Sequence, residues 1–322
     1  HFKLPAALKG RRIVIEFEGM RQAATFYVNG KKLGLFENGI TAYGLDITDA
    51  VNFGDADNIL AVSITNSDKY REVATDTPFE WEAKDFNPDY GGIQHRVWLH
   101  VTGPIFQTFP IYDGLKTIGT YIYPSDIAVD AKTATINIES QVANDSGDQA
   151  SIALSAVIVD AAGHAVAQFS GDTLDLVGGE KDVFHASGKL TNAQFWSPDH
   201  PALYTVYTIL TVNGKVADVE KTTTGFRKVE YKGGAGTGGV YINDKFTWLT
   251  GYAQRATNEW AGLGQAYPTW MHDFNARLIR DSHANYLRWM HISPQKVDVE
   301  AFDRAGIVEV CPAGDKERDV TG

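Results

Sequence analysis

Cysteine is almost missing from this chain of 322 residues, which holds one, Cys311. A lone thiol excludes a disulfide framework, and no Cys/His spacing is present that would call for a structural metal. Its neighbours Val308 and Val310 predict a buried, inert thiol. Positive charge is also in deficit: 29 Lys and Arg stand against 40 Asp and Glu, a formal charge of −11. That balance argues against the broad phosphate-binding surface a nucleic-acid partner requires. Long apolar runs are lacking too, and none approaches the length of a membrane span. What remains is 43% hydrophobic and 21% charged, the composition of a folded protein long enough for two or three cores.

Residues 11 to 102 alternate in short strands. Ile13, Ile15 and Phe17 share one face, with Arg12, Glu16 and Glu18 largely on the other; Leu60, Val62 and Ile64 repeat the pattern, as do Val97, Leu99 and Val101 opposite Arg96, Trp98 and His100. Asn29-Gly30 is a strong two-residue hairpin signal, because both central positions need positive φ. An antiparallel sandwich of the jelly-roll kind is predicted. A second all-β pattern follows Pro104 to Thr117, with Ile136 and Ile138, then Ile152 to Ile158, then Val206 to Val212 and a turn at Asn213-Gly214. Its length and turn spacing fit an immunoglobulin-like sandwich.

From Thr247 the pattern changes to strand (Thr247 to Ala253), helix (Asp273 to Ala284), strand (Tyr286 to His291), helix (Gln295 to Ala305) and strand (Ile307 to Cys311). Parallel β/α units carry their chemistry at the carboxyl ends of strands, and a closed barrel needs eight. About three are predicted here. The expected organisation is therefore multidomain: a jelly-roll β-sandwich over 1–103, an immunoglobulin-like β-sandwich over 104–228, and the first three or so β/α units of a TIM (β/α)8 barrel over 229–322. The glycine-rich Gly233 to Gly239 reads as a surface loop rather than a phosphate cradle, since no Gly-Lys-Ser/Thr follows and the next segment is a hairpin around Asn243-Asp244. No Ser-His-Asp order or redox cysteine pair is visible.

Several segments, in order, resemble the glycoside hydrolases of family two, the β-galactosidases, β-glucuronidases and β-mannosidases. Phe17-Glu18-Gly19 with Phe26-Tyr27-Val28-Asn29-Gly30-Lys31 resembles the family's FEGV…VWVNGK hairpin, and Asp85 to Ile93 with Arg96-Val97 resembles DF.YGGIYRDV. Phe195-Trp196-Ser197-Pro198 with Pro201-Ala202-Leu203-Tyr204 resembles LWSPE.P.LY, and Gly225-Phe226-Arg227 resembles the closing GFR. Tyr241 to Lys245 is similar to FYLNGKP, Leu287 to His291 stands in the place of R-T-S-H, and Phe302 to Ile307 is similar to CDELGI. The first domain then corresponds to a galactose-binding-like unit.

This resemblance implies a retaining exo-β-glycosidase, β-galactosidase-like as the best single choice, acting on a carbohydrate substrate. The family's acid/base Glu follows an Asn after barrel strand four and its nucleophile ends strand seven, so both are expected beyond Gly322, with no catalytic residue and no turnover in this segment. A non-catalytic carbohydrate-binding protein of the same domains is the alternative. His291 is implied to bond a sugar hydroxyl, with Arg288 orienting carboxylates behind it or making only a structural ion pair. Gln254-Arg255-Ala256-Thr257 replaces the frequent N-R-H-E, and Arg255 is expected to grip an anionic or decorated sugar through its planar fork. Asp85 is implied to reach the terminal sugar, against an ordinary turn role in Asn87-Pro88-Asp89. Trp260 and Trp270 could stack on sugar faces or simply pack. Glu259, Glu309, Asp315 and Glu317 are not taken as the catalytic pair. No cofactor or metal is required, no membrane or nucleic-acid partner is expected, a homo-oligomer stays open, and the resemblance implies a periplasmic or extracellular setting.

Overall fold

The computed structural model describes residues 1–37, 41–67, 69–76, 91–234, 238–255, 263, 266–290 and 293–311, with residue 255 described by its backbone. Its first strands are β1 (Arg12–Phe17), β2 (Met20–Arg21), β3 (Ala23–Val28), β4 (Lys31–Phe36), β5 (Tyr43–Asp46), β6 (Leu60–Thr65), β7 (Gly92–Ile93) and β8 (Val97–Thr102). They pair antiparallel as β5-β1-β8, β4-β3-β6 and β2-β7. The two larger sheets face each other across one core, in which Ile13, Ile15 and Phe17 of β1 meet Phe26 and Val28 of β3. Asn29 and Gly30 turn the β3–β4 hairpin at φ 50° and 81°, as the Asn-Gly pair requires. Val14 departs from the alternation: it is buried against Phe109 and Ile111 of the following connection. Val97, Leu99 and Val101 stay 38–46% exposed, because β8 is the sheet's edge among the described residues.

A second, larger sandwich follows. It comprises β9 (Ile105–Gln107), β10 (Thr120–Ala128), β11 (Thr133–Asn144), β12 (Ala150–Val159), β13 (Ala165–Leu176), β14 (Lys181–Thr191), β15 (Tyr204–Val212) and β16 (Lys215–Thr224). The order β10-β11-β14-β13-β12-β15-β16, with β9 on β11, folds into two halves joined by a single Gly171–Ala186 bridge. Ile136, Ile138, Ile152, Leu154 and Ile158 fill the space between them. Period-two strands in two opposed layers can bury their apolar faces only against each other. Arg12 ties this sandwich to the first, bonding Asp145 and, at 2.9 Å, Asp46 while its guanidinium lies 5.6 Å from the Phe106 ring.

The last elements are the antiparallel β17 (Val229–Lys232), β18 (Gly239–Ile242) and β19 (Lys245–Thr247), then β20 (Gly251–Arg255), α1 (Thr269–Asp281), β21 (Tyr286–Met290), α2 (Lys296–Ala305) and β22 (Val308–Val310). β20, β21 and β22 are parallel neighbours in that order. The continuous strand expected from Thr247 to Ala253 is split: Lys245–Thr247 closes the hairpin, and the parallel strand begins at Gly251. Asn285 holds the intervening link, accepting from the Thr250 amide and donating to the Trp248 carbonyl, both at 2.9 Å. Helix α1 starts four residues before the expected Asp273, directly after Pro268, whose missing N–H costs nothing at a helix start. A capping box between Gln295 and Asp298 opens α2. Cys311 corrects the expectation of burial: it is exposed, one residue after β22, the last strand among the described residues. No helix is long and apolar enough to cross a membrane among the described residues.

The Trp196-Ser197-Pro198 segment joins the second sandwich to the β/α elements. Trp196 is 2% exposed; its indole N–H donates to the Asp303 carbonyl at 2.9 Å, and Arg227 stands 5.0 Å from its ring. Asn243 donates to the Trp196 carbonyl and Arg280 to that of Pro198. Gly306 ends α2 at φ 73°, and a Cβ there would lie 2.4 Å from the Pro198 carbonyl oxygen. Only glycine meets both demands without strain.

Candidate functional site

In a parallel sheet, residues level with one another on neighbouring strands share a face. Leu287 and Trp289 are fully buried against Ala276 and Ile279 of α1 and Ala301 and Phe302 of α2, so this face belongs to the helices. Arg288 lies between them in β21 and therefore on the opposite face, level with Ala253 of β20 and Val310 of β22. It is half-buried. Arg255 is the last residue of β20, level with Met290, the last of β21. The carboxyl ends of two strands are thus side by side, with Arg255 and the residue before His291 on that rim. Among the candidates, Asp85, Trp260 and His291 lie outside the described residues, as does the side chain of Arg255. Trp270 is 63% exposed in the first turn of α1.

Glu309 is level with Leu287 and accepts a bond from the indole N–H of Trp289, which puts it on the helix side and away from the rim. Burial pushes its carboxyl up to about 8; the Trp289 bond opposes this, and the nearby Asp303 and Asp298 carboxylates add to it. Behind it, His272 of α1 and Asp298 of α2 form a buried pair at 2.5 Å, 2% and 1% exposed, fastening the two helices together. His95, just before β8, is drawn down to about 4 by burial and by the nearby His272. Arg96 also reaches α1, donating to Thr269 at 3.3 Å.

A second constellation escaped the sequence reading. Glu16 and Glu18 of β1, Trp98 and His100 of β8, and Lys296 and Glu300 of α2 border a cleft of about 120 Å³. His100 bonds Glu16 at 2.8 Å and the Trp98 indole donates to Glu18 at 2.9 Å. Glu220 of β16 is close enough that His100 and Lys296 act on it; burial nevertheless raises its carboxyl to about 6, with Asp218 adding to the rise. The alternation does mark Glu16, Glu18, Trp98 and His100 as one outward face. What it lacks is α2, about 200 residues later in the chain. Among the described residues no group of three or more His, Cys, Asp or Glu is arranged to hold a metal ion.

Two models of one family match this chain: glycosyl hydrolases family 2 over residues 118–227, and the glycosyl hydrolase 2 galactose-binding domain-like model over residues 1–99. A β-glucuronidase of Formosa agariphila is 34% identical over all of this chain and 32% of its own length. A β-galactosidase of Thermoanaerobacter pseudethanolicus is 26% identical over 96% of this chain and 38% of its own. The solved structure of a β-glucuronidase from glycoside hydrolase family 2 superposes with a TM-score of 0.89 at 33% identity, covering 100% of this chain and 33% of that one. The chain thus spans about a third of the length of the relatives it matches.

Proposed function

We propose, from a chain that belongs to the glycosyl hydrolases of family 2, that the whole protein is a retaining exo-β-glycosidase of β-galactosidase-like activity. The observation that carries this reading is the parallel β20-β21-β22 sheet with its two crossover helices, following two sandwiches in the family's order. We take that sheet as the first arc of an eight-stranded barrel, with divisions near 103/104 and 228/229. The rim at Arg255 and Met290 then belongs to the catalytic mouth, and Arg288, His291, Asp85 and Trp260 are its substrate-binding candidates. The two catalytic carboxylates are assigned to the part of the protein outside these 322 residues, so this segment alone should not turn over. A pair about 5 Å apart suits double displacement. One carboxylate attacks the anomeric carbon while the other protonates the departing glycosidic oxygen. Water, deprotonated by that second group, then displaces the enzyme with net retention.

A glucuronide is the second reading, favoured by the 34% identical relative named β-glucuronidase and by Arg255 at the rim, where a guanidinium suits a carboxylate. The test is a panel of aryl β-galactosides, glucuronides and mannosides on the full-length gene product, with the first-formed anomer followed by NMR. Release from galactosides with retention is expected. Release from glucuronides alone selects the second reading; inversion, or no hydrolysis of any member, refutes both.

A further inference from the structure

The geometry points to the cleft between β1, β8 and the start of α2 as a second carbohydrate site, one that takes a single neutral pyranose unit of a longer glycan. The class of ligand rests on the glycosidase reading above; the place rests on the cleft itself. A sugar ring offers C–H groups on its faces and hydroxyls around its edge. Its recognition calls for a flat aromatic surface flanked by planar groups that can bind neighbouring hydroxyls. The cleft supplies both.

Trp98 is 44% exposed and already held: its indole N–H donates to Glu18 at 2.9 Å, and the Arg96 guanidinium lies over one face of its ring, 5.9 Å from the centroid, so a sugar would use the other face. A surface fixed before the ligand arrives loses little freedom on binding. On the floor, Glu16 is bonded to His100 at 2.8 Å, with side chains 18% and 28% exposed. A carboxylate has about four acceptor sites, more than one imidazole fills. At the entrance Lys296 and Glu300, 4.0 Å apart, offer a donor and an acceptor from the first turns of α2. A volume of about 120 Å³ suits one ring rather than an enclosed chain, and both ends of the glycan would run out to solvent.

Charge selects the ligand further. Glu16, Glu18 and Glu300 outnumber Arg96 and Lys296, so a uronate or sulfate is repelled.

The test titrates the protein with an S-linked β-1,4-galactotetraose, which resists hydrolysis, and with oligogalacturonate and chitosan tetramers, read by saturation-transfer NMR and tryptophan fluorescence. The neutral tetramer should bind with a Kd of about 1 mM or tighter. Trp98→Ala should weaken it about tenfold and Glu300→Ala measurably, whereas Tyr112→Ala, an exposed ring elsewhere, should change nothing. Glu300 lies on a helix surface, so its variant keeps the test decisive if Trp98→Ala fails to fold. No binding of the neutral glycan, binding of charged glycans only, or binding untouched by both variants overturns the inference. A protein that binds through Trp98 yet cleaves no aryl glycoside keeps this inference and sinks the glycosidase reading; cleavage without Trp98-dependent binding does the reverse.

Discussion

Replacing Glu309 by glutamine should stabilise the protein above neutrality and remove part of its pH dependence. The carboxyl is pushed up to about 8 from an ordinary 4.5, chiefly by burial. Between those two values the unfolded chain has released this proton while the folded chain still holds it, so stability falls as pH rises through the window. Below about 4.5 both states are protonated and the contribution is flat; above about 8 both are ionised and the loss is complete. At about 1.36 kcal/mol per tenfold change in proton affinity, the gap sets a ceiling of roughly 5 kcal/mol. Because Glu309 is only partly buried, relaxation and solvent screening should reduce this to about 2–3 kcal/mol. Glutamine keeps an acceptor for the Trp289 indole and has no proton to lose. With each kcal/mol moving the Tm of a chain this size by about 2 °C, the variant should melt about 4–6 °C above the parent at pH 8.5 and level with it at pH 4.5. Calorimetry across pH 4.5–9 checks this. A difference in Tm that stays constant with pH, or that shrinks as pH rises, refutes the placement of Glu309 in a water-poor layer behind the sheet.

Trp196→Ala should cost about 3–5 kcal/mol, because it empties a buried position and frees the Asp303 carbonyl; limited proteolysis should then cut between the second sandwich and the β/α elements before either is degraded. His272→Leu and Asp298→Leu should each destabilise by about 3–5 kcal/mol by leaving a buried partner alone, whereas the double replacement should cost less than their sum; a denaturation double-mutant cycle measures that coupling. Cys311 is exposed, yet burial of its thiol on one side, with Glu309 nearby, pushes it up to about 11. It should therefore react slowly with maleimide at pH 7 and steadily faster up to pH 10, and a fast reaction at neutral pH would contradict that environment.

The sandwiches and the β/α order were legible in the sequence because each depends on local rules. Asn29-Gly30 and Asn213-Gly214 turn hairpins wherever they sit, since both residues must take positive φ. Alternation in β1 and helical spacing in α2 name the face that leaves water. Asp85 entered through likeness to a family, and His291 and Trp260 through their places after predicted strands; all three lie outside the described residues, and the carboxyl ends of β20 and β21 are described at the backbone of Arg255 and at Met290.

Tertiary structure decided what depends on distant residues meeting. Trp196 became a joint because Asp303, Arg227 and Asn243 converge on it. Glu309 acquired its raised pKa because burial outweighs the Trp289 bond and Asp303 and Asp298 of α2 stand near it. An outward row on β1 and β8 became one wall of a cleft once α2 stood opposite. Periodicity states which side of an element is apolar; only packing states what, if anything, stands against the other side.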